Sequence, residues 1–93
     1  MKVVYTPQAL RNLDNAYTYI FADNPDAAAR TLAIVRAALK TLESHPEIGR
    51  PGRVEGTREL RLAGSPFILV YRQKEQRLEI IDILHSSRSY PGA

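Results

Sequence analysis

His85, Arg88 and Tyr90 fall within six residues, where an apolar run gives way to HSSRSYP. They are a proton-transfer group, a permanent cation and a phenol, a set suited to contact with a phosphate backbone. Cleaving RNA through its 2′-hydroxyl needs a base for that proton and an acid for the leaving 5′-oxygen. It also needs cations for the pentavalent phosphate. An imidazole, with an ordinary pKa of ~6.5, can fill either proton role. A guanidinium offers phosphate a two-pronged fork. A structural reading stands beside the chemical one: His85 closes a strand, Arg88 is solvated and Tyr90 packs its ring on helices.

Arg50, Arg53, Arg58 and Arg61 form a second basic set, with Glu47, Glu55 and Glu59 as the nearby anions. Arg61 alternates with Leu60 and Leu62, so a strand would hold it on the face opposite those leucines. The set reads either as a cationic, target-binding surface shared with Arg88 or as a solvated edge. Asp82 interrupts an apolar strand and calls for a partner, expected to be an arginine on a neighbouring strand. His45, before Pro46, reads as a helix-end residue near the C-terminal dipole. Glu47 is a lone surface carboxylate. No Gly-rich phosphate loop, His/Asp/Glu metal spacing or Ser–His–Asp order is present, so no metal and no cofactor is expected.

These groups need elements to position them. Val3 to Tyr5 make a short first strand, and Thr6-Pro7 is an N-cap followed by proline at the first helical position. Leu10, Leu13, Tyr17 and Ile20, with Ala9 and Ala16 alongside, recur at helical spacing over residues 7–22. Asp23-Asn24-Pro25 ends that helix and starts a second over 25–44. Its buried seam is Ala28, Leu32, Val35, Leu39 and Leu42; Arg30, Ala33, Arg36, Ala37 and Lys40 lie outside. Two such stripes on a short connection predict an antiparallel helical hairpin.

HPEIGRPGRVEG holds two prolines and three glycines and reads as a loop. Strands follow near 57–62, 67–73 and 77–85, with turns at Gly64-Ser65-Pro66 and Lys74-Glu75-Gln76. Short connections make them an antiparallel meander. The order β-α-α-β-β-β predicts an α+β, two-layer fold with the helical hairpin on one face of a mainly antiparallel sheet. The expected core is Leu10, Leu13, Ile20, Leu32, Val35, Leu39, Leu60, Leu69, Ile80 and Leu84. Both alternating sets of the last two strands are apolar: Leu78, Ile80 and Leu84 against Ile81 and Ile83, and Phe67, Leu69 and Tyr71 against Ile68 and Val70. One helical hairpin covers one face only. Loops and the C-terminal tail must cover the other, or a partner protein must.

Composition agrees with a small domain. Ninety-three residues fit one domain, 1–93, near the lower size at which chains fold unaided. With no cysteine, a reducing, cytoplasmic setting is the default. No apolar run approaches the ~20 residues that span a bilayer, so no membrane is expected. The start, MKVVYTPQAL, has no secretory apolar stretch and reads directly as structure. A formal charge of +3 suits an acidic protein or nucleic acid equally.

The whole chain resembles the RelE/ParE superfamily of bacterial toxins. The order of elements carries the likeness, with HPEIGRPGRVEGTREL, the ILVYR strand and the EIIDILHSSRSYP ending. The resemblance implies the toxin of a plasmid- or chromosome-encoded type II toxin–antitoxin module. A cognate antitoxin, small, acidic and partly disordered, would silence it by wrapping the toxin. RelE-type members cut messenger RNA on the ribosome; ParE-type members poison DNA gyrase and need no catalytic set. Arg61, His85, Arg88 and Tyr90 fall where a ribonuclease member could use them. Such members, however, usually carry an arginine just before the leucine-valine-tyrosine of the third strand, where this chain has Ile68. An apolar residue cannot stabilise a phosphorane. The long helical front end and GRPGRVEGTREL also look ParE-type, so gyrase inhibition is the expectation. Ribosome-dependent mRNA cleavage and a small basic, non-toxic interaction module are the alternatives.

Overall fold

The computed structural model describes residues 1–86. The chain runs β1 (Lys2–Tyr5), α1 (Pro7–Asp23), α2 (Pro25–Ser44), β2 (Arg50–Pro51), β3 (Arg58–Arg61), β4 (Phe67–Lys74) and β5 (Arg77–His85). The sheet order is β1-β5-β4-β3-β2. Only β1 against β5 is parallel; the other neighbours are antiparallel. The α+β architecture of two helices on a mainly antiparallel sheet is therefore present, and the loop expected over 44–56 contributes the short strand β2.

Local chemistry sets the helix ends. Thr6 Oγ1 accepts from Ala9 N–H at 3.1 Å, and Pro7 follows at the first helical position, where its missing N–H costs nothing. Asn24 serves both helices. Its N–H closes α1 on Ile20 O at 2.8 Å, and its Oδ1 accepts from Ala27 N–H at 3.1 Å to open α2. One residue between helices leaves no room except for a tight antiparallel hairpin.

The helices lie on one sheet face. Ala9, Val35 and Leu42 meet Leu62, Phe67, Leu69, Tyr71, Leu78, Ile80 and Ile83 in a single buried cluster, against which Leu13, Ile20, Leu39 and Leu60 pack half-buried. Leu10 does not join it. It is 52% exposed, because the buried side of α1 runs through Ala9, Leu13, Ala16 and Ile20 and turns Leu10 outward.

A register irregularity follows Val70 in the β4–β5 ladder: Val70 faces Asp82, Tyr71 faces Ile80, and Ile81 is the extra residue. Residues beyond it change face. Ile83 joins Leu78 and Ile80 in the core, while Leu84 pairs with Ile68 on the opposite face. The simple alternation that grouped Leu84 with Ile80 is corrected by this bulge. On the face away from the helices, Ile68, Val70 and Leu84 are at most 8% exposed, so these described residues present no bare apolar surface.

Truncating the fully buried Leu42 to alanine should cost about 2–5 kcal/mol in urea unfolding, from lost transfer energy and the cavity left behind. Leu10→Ala should change stability by no more than about 0.5 kcal/mol.

Candidate functional site

His85 ends β5, and the register pairs it with Phe67, a core residue, so its ring points to the helical side of the sheet. It meets the Phe67 ring edge-on, with centroids 5.6 Å apart and planes at 84°. It also lines an open cleft of about 610 Å³ with Asn12, Asn15 and Tyr19 of α1. Arg61 pairs with Ile68, which faces the other way. The two are thus on opposite faces of the sheet, and their side chains leave it in opposite directions. Arg88 and Tyr90 lie outside the described residues.

The second basic set separates as well. Glu59 is buried, its side chain 1% exposed, and takes both Arg50 and Arg53 at 3.3 Å. It also accepts the Arg53 backbone N–H at 2.9 Å. Burial alone would raise the Glu59 pKa. The Arg53 backbone N–H, the Arg53 charge and the two guanidinium hydrogen bonds outweigh it and hold the carboxyl below its ordinary value.

Arg58 turns to the helical side, level with Tyr71, and donates to Gly49 O at 2.8 Å and Glu47 O at 3.2 Å. The Tyr71 hydroxyl completes that corner, donating to Pro46 O at 2.8 Å and accepting Gly49 N–H at 2.9 Å. A Cβ at Gly49 would lie 2.5 Å from that oxygen, which explains the glycine. Burial pushes the Tyr71 phenol up, against the Gly49 N–H and the Arg58 charge. Arg61 is exposed and, alone of the four, has no described residue bonded to it.

Asp82 has partners of another kind than the expected arginine. Its carboxylate accepts from Asn12 Nδ2 at 2.6 Å, Gln8 Nε2 at 3.0 Å and Ile83 N–H at 2.8 Å. Neutral amides of α1 thus clasp the edge of β5 just past the bulge, assisted by Thr6 Oγ1 donating to Ile81 O at 2.7 Å. Gln8 and Asn12 stand four apart on one helix face, the only signal in the sequence that could have singled them out. His45 caps α2, its N–H reaching Thr41 O at 2.9 Å, and its ring lies 4.0 Å from Glu47 with both exposed. Among the described residues no group of three His, Asp or Glu side chains could hold a metal ion.

Chemically, the described candidate residues offer an unbonded guanidinium at Arg61, a carboxylate-anchored arginine pair and an imidazole in a separate cleft. It can hold charged or apolar surfaces; it does not converge on a reacting atom.

Residues 3–90 match the family model of the ParE toxin of the type II toxin–antitoxin system, parDE. A Sinorhizobium fredii protein named "Putative toxin Y4kP" is 42% identical over 90 residues, covering 97% of this chain and 93% of its own. The structure of a chromosomal ParDE system from P. aeruginosa superposes with a TM-score of 0.80 at 27% identity, over 91% of this chain and 95% of that one. YafQ from E. coli has a TM-score of 0.60 at 14% identity, over 92% and 93% of the two chains. The YoeB–YefM complex from Staphylococcus aureus has 0.56 at 19%, over 89% and 93%. These last two share the fold.

Asn12→Ala should destabilise by about 1–3 kcal/mol in chemical denaturation, since it removes a donor from a buried carboxylate. For Glu59 the folded pKa is depressed, so its stabilising contribution is complete above the ordinary carboxylate pKa and fades as pH falls through the lowered value. Stability curves of the native chain and Glu59→Gln should therefore converge as the pH is lowered below the ordinary carboxylate range. Curves that stayed parallel would contradict the ion-pair account.

Proposed function

The chain belongs to the ParE toxin family of type II toxin–antitoxin systems, and from that premise we propose that it acts by binding and poisoning DNA gyrase. The observation that carries this reading is the separation of Arg61 and His85 onto opposite faces of the sheet. An RNA-cleaving centre needs its proton-transfer group and its cations around one phosphate. Here Ile68 fills the position facing Arg61 and is 5% exposed. Arg58 is spent on backbone carbonyls, and Arg50 and Arg53 are anchored on Glu59, whose face of the sheet is opposite that of His85. A protein-binding inhibitor needs no such convergence. The likeness to the P. aeruginosa ParDE system supports the same side.

The antitoxin segment that silences the chain is acidic, complementing the charge of +3, and docks apolar side chains on α1. Leu10 at 52%, Tyr19 at 83% and Phe21 at 48% exposure provide that apolar surface. Induction without antitoxin should produce filamentous cells with DNA-damage signalling. His85→Ala should remain toxic, because no proton has to move. Rapid translational arrest with codon-phased cuts in messenger RNA, abolished by His85→Ala, would contradict the reading.

A further inference from the structure

We propose that the segment from Arg50 to Arg61 is the surface by which this toxin grips an acidic face of its protein target, apart from the antitoxin's contact on α1. The proposal rests on the chain being a toxin that acts by contact, and it names the contact.

The segment carries four arginines against two glutamates. It is also rigid. Gly52 N–H donates to Thr57 O at 2.8 Å, Thr57 Oγ1 donates to Val54 O at 2.6 Å, and Arg53 N–H donates to Glu59 at 2.9 Å. Register puts Arg50, Glu59 and Arg61 on the same face, the one without helices. Glu59, buried to 1% at the side chain, fixes where two guanidiniums stand while leaving the Arg50 side chain 69% exposed. A buried carboxylate is a costly way to stabilise a hairpin, since an apolar residue could pack against the facing Val70 without desolvating a charge. Its distinctive effect is to hold cations in place before a partner arrives, which lowers the ordering cost of binding.

Two observations identify the partner as protein carboxylates rather than single-stranded nucleic acid. Exposed Val54, at the tip beside Arg53, offers an aliphatic contact. Among the described residues the face also offers no stacking surface: its strand residues include Ile68, Val70 and Leu84, while Phe67 and Tyr71 are buried on the helical side. Nucleic-acid platforms of this kind use aromatic rings between their cations.

The test uses the full chain with Val54→Asp and Arg61→Glu combined, two side chains with no described hydrogen bond or ion pair. Cell survival after induction, the melting temperature, and affinity for the antitoxin encoded beside the toxin are measured on the same protein. Survival should rise about 10-fold or more, as for loss of a central interface contact. Melting temperature and antitoxin affinity should stay near the native values. Undiminished killing would overturn the proposal. So would a parallel loss of antitoxin affinity, which would assign the hairpin to the antitoxin. Loss of a measurable affinity for single-stranded RNA in step with toxicity would replace the protein partner with phosphate. Killing that depends on the hairpin but leaves DNA supercoiling intact would sustain this surface and reject gyrase as the target.

Discussion

The extra residue Ile81 in β5 determines which groups share a face in the C-terminal third of the fold. Strand side chains alternate with period two, so one inserted residue reverses every position beyond it. Without the bulge, His85 would share the face away from the helices with Arg61. With it, Ile83 completes the core, Leu84 turns away from the helices, and His85 meets Phe67 on the helical side. The clasp on Asp82 is part of the same arrangement. Gln8 and Asn12 hold its carboxylate, and Thr6 Oγ1 binds Ile81 O at the irregularity itself. Packing and polar satisfaction thus enforce together a geometry that keeps His85 and Arg61 on opposite faces of the sheet.

The arginines of the 50–61 segment show a division of labour that residue type hides. Arg58 spends its guanidinium on backbone carbonyls, next to a Tyr71 hydroxyl that fastens the same corner. Arg50 and Arg53 share one buried carboxylate, and Arg61 stands alone. Four like charges in sequence therefore become a structural strut, an oriented pair and an exposed point charge. Under the proposed contact mechanism, position and charge of these side chains are what a partner surface would read.

Much of the fold was legible because local rules agreed with each other. Thr6-Pro7 and Asn24-Pro25 mark helix starts by a mechanism that tertiary context does not override. The apolar period of α2 gave its buried side correctly through Ala28, Val35 and Leu42. Leu10 misled because the buried stripe of α1 is built on small residues, Ala9 and Ala16, which let the helix approach the sheet closely while leaving a large neighbour outside. The bulge was not legible at all: LEIIDIL is apolar at successive positions, so nothing in its pattern marks a change of phase. The partners of Asp82 and the burial of Glu59 were missed for a related reason. They depend on which elements become neighbours: Gln8 and Asn12 of α1 lie 74 and 70 residues from Asp82, and Glu59 is buried where β3 pairs with β2 and β4.

The central claim is that this toxin acts on a protein partner and not on a phosphodiester. A supercoiling assay with purified gyrase and purified toxin measures that most directly, with the antitoxin added as control. The expected result is dose-dependent loss of supercoiling with accumulation of cleaved DNA, relieved by antitoxin and unchanged by His85→Ala. Full gyrase activity at a large excess of toxin, with messenger RNA cut by the same preparation on ribosomes, would contradict it.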